Sequence, residues 1–438
     1  MTTRILLFGD IPGIPQILRY VPVKNVIGIV GASIRPQYFS QLKSLSVELS
    51  VPFLIQPKWR SKEYEKFIKL VSDLAPDVFW INSYSMILKK DLLGLAKVGG
   101  LNIHTALLPR NRGCNPTQWA ILNGDSETGV TLHEVTNGVD EGPIVDQYKV
   151  PIFFDDTWCD VRGRLAQAKQ KLIEKNLSSI LSRSWTAQAQ SESHATVGHR
   201  REPQDGQFFW TEPIIQIYNK VRALLPPLPP AFFVKSDGGK FEMNTFLTIC
   251  QVTALKYDSS AREEMCMQSE KVGLRCLRKG DSTLFCKFSI KTQNIFFHEP
   301  LLMKSEADHP DLIDRFMAQH SDQIVFVIEE IENSRAIGAC RFTNLNWNHR
   351  SAELQIYIIE EGSYGVNCEF DILRMLCTFG FTELKLHRIC HQILSSQTEK
   401  IQAYERCGFL HEGVLKDAAF INGSWLDVNI MGLIKIDE

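Results

Sequence analysis

Three polar residues, Asn102, His104 and Asp140, carry the side chains that proton transfer and charge stabilisation require. Asn102 and His104 stand two residues apart at the end of an apolar run, and in a β-strand this spacing directs both side chains to the same face. Asp140 follows in a loop between Gly138 and Gly142. An amide N–H can stabilise an oxyanion, a histidine can accept a proton, and a carboxylate can orient that histidine. The set therefore suits transfer of a small acyl group to an amine.

Spacing alone does not decide this interpretation, because His and Asp are also common in ordinary loops and turns. The three residues lie in the first and last of five short segments that follow one another along the chain. These segments are Asn102–His104, Leu107–Gly113, Gln118–Trp119, Gly129–His133 and Gly138–Gly142. These segments resemble the catalytic region of the folate-dependent formyltransferases, a family of methionyl-tRNA, glycinamide ribonucleotide and sugar N-formyltransferases. The resemblance implies that Asn102, His104 and Asp140 are catalytic and that N10-formyltetrahydrofolate is the formyl donor.

The chain before this region alternates short apolar strands with amphipathic stretches. The predicted strands are Ile5–Phe8, Val26–Val30, Pro52–Ile55 and Asp77–Ile81. This alternation favours an α/β fold with a doubly wound, mostly parallel sheet. The glycines after the first strand lack the G-x-G-x-x-G spacing of a dinucleotide site, so we expect no nicotinamide cofactor. A long amphipathic helix is predicted over residues 156–181.

The loop after the fourth predicted strand is the expected cofactor contact. By the same resemblance, the backbone groups around Met86, Ile87 and Leu88 contact the pterin of the folate, and Val139 beside Asp140 completes the set. A plain strand-to-helix turn would show the same local pattern. The agreement with the catalytic segments favours the cofactor.

Length, charge and cysteine usage limit the function classes. The 438 residues exceed one ordinary domain, and the net charge of −2 gives no strong field for polyanions, so we expect no nucleic-acid partner. The apolar stretches are too short to span a membrane and the N-terminus does not resemble a signal peptide, so we expect a cytoplasmic protein with no membrane partner. The 11 cysteines include no C-x-x-C pair, which predicts buried thiols and no metal site.

We expect three domains, beginning with a formyltransferase catalytic domain over residues 1–190. A small, mainly β subdomain over residues 200–290 follows, with a helix over residues 212–225 and strands over residues 241–252, 272–277 and 283–290. It resembles the C-terminal subdomain of formyltransferases. Between Arg200 and Ser289 there are 13 Lys and Arg against 10 Asp and Glu, a balance too weak for a tRNA-binding appendage. Methionyl-tRNA is therefore disfavoured as substrate.

Residues 291–438 begin a new pattern. Three predicted strands precede a helix over residues 366–384, a strand over residues 387–394 and a helix over residues 399–407. With the motifs Phe379–Ile389, Ala403–Phe409 and Gly423–Asp427, this region resembles the GNAT-type N-acetyltransferases, in the branch that acylates ribosomal proteins or nucleotide-linked 4-amino sugars. The resemblance implies a GNAT α/β domain in which Tyr404 protonates the departing coenzyme A thiolate.

The expected pyrophosphate loop departs from the family pattern. It keeps the central Gly365, followed by Val366, and both are assigned to acetyl-CoA binding by the resemblance. Gly362 stands where the family has Arg or Gln, Asn367 where it has Gly or Ala, and Gln397 in a later motif where Asn is usual. Two alternatives stay open, a second N-acetyltransferase activity that uses acetyl-CoA and a non-catalytic binding or dimerisation module.

The leading hypothesis is an N-formyltransferase that acts on the amine of a nucleotide-linked amino sugar. Exclusion of tRNA by charge and the fusion of two domains that would each modify a primary amine favour this acceptor. A formyltetrahydrofolate hydrolase would use the same three residues and is the alternative enzyme. The sequence leaves the oligomeric state open, with a homo-oligomer among the possibilities.

Overall fold

The computed structural model describes residues 2–11, 13–235, 237–258, 266–278, 281, 323–358, 365–421 and 423–435. The chain forms two compact units, Met1–Asp205 and Gly206–Glu438. Among the helices in these ranges, none is both long enough and apolar enough to cross a membrane.

The first unit is built on a seven-stranded sheet with the order β3-β2-β1-β4-β5-β7-β8. Its strands are β1 (Ile5–Gly9), β2 (Val26–Ala32), β3 (Phe53–Gln56), β4 (Val78–Asn82), β5 (Gly99–His104), β7 (Glu127–Glu134) and β8 (Ile144–Pro151), and a short β6 (Arg112–Gly113) pairs with β9 (Val197–Gly198). Its helices are α1 (Gly13–Leu18), α2 (Phe39–Glu48), α3 (Lys62–Asp73), α4 (Lys90–Leu93), α5 (Pro116–Leu122) and α6 (Trp158–Ser182).

Strands β1 to β5 pair in parallel, whereas β7 and β8 add an antiparallel edge. Every residue of β1 and β4 is buried, as expected for strands covered on both faces. The doubly wound, mostly parallel sheet that the sequence predicted is confirmed. Chain order reverses between β1 and β4, and in such sheets the crevice at this point, beyond the carboxyl ends of the strands, is the usual ligand site.

Helix α6 covers the sheet over 25 residues. It begins with a capping box, in which the Thr157 hydroxyl accepts from the backbone N–H of Asp160 and the Asp160 carboxylate accepts from the backbone N–H of Thr157. Its buried face carries apolar residues at three- and four-residue spacing, as predicted, and also the polar residues Lys169 and Asn176.

The second unit contains a two-stranded hairpin and an eight-stranded sheet of order β12-β13-β14-β15-β16-β17-β19-β18. The strands are β10 (Ala231–Val234) and β11 (Lys240–Met243) of the hairpin, then β12 (Met267–Gln268), β13 (Val272–Cys276), β14 (Ile324–Glu330), β15 (Arg335–Asn346), β16 (Ser351–Ile358), β17 (Arg388–Leu394), β18 (Leu410–Ile421) and β19 (Ser424–Ile434). Within the described residues of this unit, the helices are α7 (Ile214–Ala223), α8 (Ile249–Asp258), α9 (Gly365–Thr382) and α10 (Thr398–Arg406).

The region predicted as a strand over residues 241–252 differs from that expectation. Strand β11 ends at Met243, and helix α8 begins at Ile249. The Thr248 hydroxyl accepts from the backbone N–H of Gln251 while the Gln251 side chain accepts from the backbone N–H of Thr248. This reciprocal cap starts the helix despite the β-branched residues that follow it.

The predicted domain boundary at residues 290 and 291, and the predicted strand over residues 283–290, lie outside the described residues. The described strand β13 pairs with β14 from Val272 to Cys276. Because these five residue pairs join the two segments in one sheet, β13 belongs to the second unit's large sheet. The three domain ranges expected from the sequence stay a prediction.

Candidate active site

Strands β5 and β7 place the first candidate residues side by side. In the antiparallel register, Asn102 lies opposite His133 and His104 lies opposite Thr131. All four side chains therefore belong to one face of this strand pair. His104 and His133 are both buried.

Asp140 joins this cluster from the loop after β7. Its carboxylate lies 3.4 Å from Nδ1 of His104 and 3.4 Å from Nε2 of His133, and Nδ2 of Asn102 donates to Oδ1 over 3.3 Å. The structure thus brings together the three residues singled out by sequence, although Asp140 is distant from the others along the chain.

The loop conformation that presents Asp140 is fixed by backbone and side-chain contacts. Asp140 has a φ of 51°, in the left-handed region that a non-glycine residue adopts only when its surroundings hold it there. The backbone N–H of Gly113 donates to its carboxylate over 2.9 Å, and Gln190 donates to the carbonyls of Asp140 and Gly142 over 2.8 and 2.7 Å. The carboxylate is therefore held in place before any substrate binds.

The charge states of the cluster follow from burial and neighbours. Burial acts to raise the pKa of Asp140, but His104, His133 and the Gly113 N–H outweigh it and lower that pKa to about 2. Burial is the largest influence on His104 and lowers its pKa, against the opposing effects of Asp140 and the Asn111 carbonyl. Asp140 is consequently an anion at neutral pH beside a histidine that is free to accept a proton.

His104 is prepared for that proton on both sides of its ring. Nδ1 faces Asp140, and Nε2 lies 2.8 Å from the carbonyl oxygen of Asn111. When the ring becomes an imidazolium, each N–H has an acceptor beside it. This arrangement stabilises the charge that appears during proton transfer.

Asn102 has both of its amide N–H groups directed at neighbours. Nδ2 lies 3.1 Å from Nε2 of His133 as well as 3.3 Å from Asp140. Nδ1 of His133 lies 2.8 Å from the Glu134 carbonyl, a contact that orients the ring beside Asn102. An amide N–H that serves an oxyanion must therefore leave Asp140 or His133 when substrate arrives.

His133 also belongs to the cluster. It ends the segment Gly129–His133, but it was not predicted to be a site residue. The available signal was its position within the strand Glu127–Glu134, two residues from Thr131 on the same face. Its register opposite Asn102 could not be known before the strands were paired. Its contacts identify it as a residue that positions Asn102 and Asp140.

The predicted cofactor loop follows β4. Leu88 is buried, Met86 is half-buried, and the Ile87 side chain is 49% exposed. Gln56 donates to the Ile87 carbonyl over 3.2 Å and accepts from the Tyr84 hydroxyl over 2.7 Å, so this loop is anchored to β3. In the described part of the chain, no backbone hydrogen bond within the protein involves Met86 or Leu88.

A cavity of about 600 Å³ adjoins this loop, lined by Trp59, Lys89, Lys90, Asp91 and Asn137. Lys89 directly follows Leu88, and Asn137 precedes Val139 in the Asp140 loop. The cavity therefore lies against both segments assigned to the cofactor. The exposed Val139 lies between Asn137, which lines the cavity, and Asp140 of the polar cluster.

Tyr404 in the second unit occupies a different setting. Its side chain is fully buried, its ring stacks on His391 with centroids 4.9 Å apart, and its hydroxyl has no hydrogen-bond partner among the described residues. Burial raises the pKa of Tyr404 well above its usual value. Burial also lowers the pKa of His391 to about 3, so the stacked pair is neutral.

Near Tyr404, the parallel strands β16 and β17 separate. They pair only over three positions, Ser351 with Arg388 through Glu353 with Cys390, and Nδ1 of His391 then contacts the Leu354 carbonyl. Gly365 and Val366 are the first two residues of α9. The preceding residues 362–364 of the predicted pyrophosphate loop lie outside the described residues.

Known proteins resemble each half of the chain. Bifunctional polymyxin resistance protein ArnA from Wigglesworthia glossinidia brevipalpis is 35% identical over 195 residues, which are 44% of this chain and 29% of that protein. A sugar N-formyltransferase structure from Shewanella is 18% identical over 56% of this chain and 97% of that one, with a TM-score of 0.47. A SpeG spermidine N-acetyltransferase mutant from Vibrio cholerae is 29% identical over 38% and 95%, with a TM-score of 0.34.

Two family models match separate parts of the chain. The formyl transferase model matches residues 25–177, which include Asn102, His104 and Asp140. The acetyltransferase (GNAT) model matches residues 289–430, which include Tyr404. The chain therefore contains a formyl transferase domain followed by a GNAT acetyltransferase domain.

Proposed function

We propose that the first unit transfers a formyl group from N10-formyltetrahydrofolate to the amine of a nucleotide-linked amino sugar. The observation that carries this proposal is the contact of Asp140 with both Asn102 and His104, at 3.3 and 3.4 Å, inside a domain of the formyl transferase family. The carboxylate, imidazole and amide meet the three needs of formyl transfer to an amine.

Each residue has one step in the proposed reaction. The amine nitrogen attacks the formyl carbon, and the carbonyl oxygen becomes an oxyanion that an N–H of Asn102 stabilises. His104 takes the proton that the amine releases, and Asp140 stabilises the imidazolium. The bond from the formyl carbon to N10 then breaks, and the proton passes to N10. The products are tetrahydrofolate, which carries the proton on N10, and the formylated amine.

The donor proposal is supported by the features beside the polar cluster. The segment that holds Met86, Ile87 and Leu88 leads directly into Lys89, which lines the cavity of about 600 Å³. Trp59, Lys89 and Lys90 give this cavity an aromatic and cationic lining, which suits an aromatic ring system with carboxylates.

The acceptor proposal rests on charge and domain combination. The weakly basic balance of residues 200–289, 13 against 10, does not suit tRNA. The second family model belongs to enzymes that also acylate amines. If both domains acylate amines, an amino sugar is a better candidate acceptor than a macromolecule such as tRNA.

A mass spectrum of the product tests the proposal directly. The full chain is incubated with N10-formyltetrahydrofolate and one nucleotide-linked amino sugar at a time, over a panel of such sugars. We expect the mass of one formyl group to be added to one sugar, and no addition with His104→Ala. His349→Ala, which changes an exposed histidine of the second unit, is the matched control and should react like the unchanged protein.

A hydrolase is the alternative, because water can replace the amine at the same three residues. The two reactions differ in their dependence on the acceptor. Formate release at the same rate with and without an amino sugar would contradict the transferase proposal. Formate release that falls as formylated sugar appears would support it.

We further propose that the second unit transfers an acetyl group from acetyl-CoA to an amine. The family match and the unpartnered hydroxyl of Tyr404 support this proposal. The ladder between β16 and β17 ends at Glu353 and Cys390, and two parallel strands that separate in this way can admit an extended amide chain such as that of coenzyme A. A non-catalytic module is the alternative, because the departures at Gly362 and Asn367 remove expected phosphate contacts.

Calorimetric titration of the full chain with acetyl-CoA separates these two functions. Micromolar binding together with acetylation that disappears in Tyr404→Phe supports a second activity. Binding without acetylation, or no binding, would assign the second unit a non-catalytic role. The formyl transfer measured in the same preparation shows that the first unit is folded, and circular dichroism compares the fold of Tyr404→Phe with that of the unchanged protein.

A further inference from the structure

Lys169 is a buried cation that has no counter-charge among the residues that the structure describes. It lies on the sheet-facing side of α6 beside the buried residues Leu165, Ala168 and Leu172, and only 8% of its surface is exposed. In the part of the chain that the structure describes, its hydrogen bond is to Oδ1 of Asn82 over 3.3 Å, and none of the ion pairs involves it. Burying an ammonium without an anionic partner is costly.

Asn82 holds this contact in a fixed position. It is the last residue of β4, its Nδ2 donates to the Gly13 carbonyl over 2.9 Å, and a Cβ on Gly13 would come within 2.3 Å of the Asn82 carbonyl oxygen. Only glycine permits this close approach of the two backbones. With its amide nitrogen fixed in this way, Asn82 turns its oxygen toward Lys169.

The position of this pair is at the crevice of the sheet. Asn82 ends the strand that neighbours β1, where chain order reverses, and it pairs in register with Ile103, the residue before His104. The charge of Lys169 is close enough to His104 to contribute to lowering the pKa of that histidine. The ammonium is therefore near the reacting groups.

Lys169 keeps its charge in the neutral range. Burial lowers the pKa of Lys169 to about 8, so the ammonium form predominates at pH 7. The ammonium has three N–H donors, and Asn82 takes one of them. The other donors and the unbalanced charge suit an anion.

We propose that Lys169 and Asn82 form an anion-binding site at this end of the sheet, which takes a phosphate or carboxylate group of the amine-bearing substrate. The proposal rests on the proposed formyl transfer only for the identity of that substrate. An anion at this point supplies the missing counter-charge and places the amine of the same molecule toward His104. A nucleotide-linked sugar would supply phosphate, and an acidic amino sugar would supply carboxylate.

Calorimetry with two anions tests the site without any chemical step. The full chain is titrated with inorganic pyrophosphate and, separately, with acetate, in the absence of formyl donor. We expect binding of one anion that weakens about tenfold to a hundredfold in Lys169→Met, which keeps an unbranched side chain one atom shorter and removes its charge. Preference for pyrophosphate identifies a phosphate subsite, and preference for acetate identifies a carboxylate subsite.

Lys171→Met is the matched control, because Lys171 lies two residues further on the same helix and is exposed. Its anion binding should equal that of the unchanged protein. Equal binding in Lys169→Met and Lys171→Met, or no binding by the unchanged protein, would overturn the proposal. Lys169→Gln serves as a second neutral variant if Lys169→Met does not fold.

Thermal unfolding distinguishes a ligand-binding lysine from a structural one. Removal of an unbalanced buried charge should raise the melting temperature of Lys169→Met while it weakens anion binding. A lower melting temperature with unchanged anion binding would show a structural role. The anion titration contains no formyl donor, so its outcome does not depend on catalysis. Failure of formyl transfer in the separate activity assay would contradict the proposed function and would leave the anion-binding result unchanged.

Discussion

The two units hold their candidate proton-transfer groups in opposite environments. In the first, His104 and Asp140 belong to a cluster of four polar side chains. Each member of the cluster lies within 3.4 Å of at least one other member. In the second, the Tyr404 hydroxyl lies in a packed interior with no hydrogen-bond partner among the described residues. A cluster can accept a proton because neighbouring groups compensate the new charge, whereas an isolated buried hydroxyl has no such compensation.

The comparison shows that burial alone does not identify an active proton donor or acceptor. Both His104 and Tyr404 have their pKa shifted mainly by burial. Only His104 has charged and polar groups arranged to oppose that shift. For Tyr404, none of the groups that shift its pKa opposes the effect of burial.

The largest expected effect concerns the limits of the second unit. We predict that separately expressed residues 206–438 fold cooperatively, whereas residues 291–438 do not, because the second fragment lacks β13 and exposes the edge of β14. Thermal unfolding followed by circular dichroism compares the two. A cooperative transition of equal midpoint in both fragments would show that β13 is dispensable and would favour the boundary at residue 291.

Removal of the central histidine should have the next largest effect. We expect His104→Ala to lower kcat for formyl transfer by about a hundredfold to ten-thousandfold, since no other group in the cluster replaces the lost base in position. Steady-state kinetics at saturating substrates measure this change. A loss smaller than tenfold, with His349→Ala as the control, would contradict the assigned role.

The pH dependence of formyl transfer sharpens the electrostatic account. Asp140 and the Asn111 carbonyl raise the pKa of His104, whereas burial, His133 and Lys169 lower it. The acid limb of kcat/KM should therefore lie below pH 6.5, the usual histidine value. We expect its midpoint to move to lower pH in Asp140→Asn and to higher pH in Lys169→Met. Movement in the reverse directions would contradict this account.

Loss of the oxyanion donor should cost about a hundredfold or more in kcat for Asn102→Ala. The same change releases Asp140 and His133 from their shared partner. His133→Ala, which frees Asn102 but keeps its amide, should cost less. Equal losses in the two variants would show that Asn102 acts by holding the cluster together and not by donating to the oxyanion.

The smallest expected effect is on the stability of Tyr404→Phe. Because the hydroxyl is buried and has no partner in the part of the chain that the structure describes, its removal should leave the free energy of unfolding unchanged or raise it by about 1 kcal/mol. Denaturant unfolding measures this difference. A large loss of stability would reveal a hydrogen bond to the hydroxyl, and loss of acetylation without loss of stability would separate chemistry from packing.

The sequence by itself determined the mostly parallel sheet of the first unit and the set Asn102, His104 and Asp140. Alternating apolar strands and amphipathic segments specify the sheet because burial on both faces requires continuous apolar strands. The period of two along β5 placed Asn102 and His104 on one face. These properties are local, so a linear pattern contains them.

Tertiary structure alone decided which distant residues meet. The register of β5 against β7 brings His133 opposite Asn102, and the packing of α6 brings Lys169 to Asn82, 87 residues away. The pairing of β13 with β14 likewise joins segments that the sequence pattern separated. These contacts depend on strand register and helix packing, which arise from the burial of many side chains together and leave no signal in the spacing of the few residues they unite.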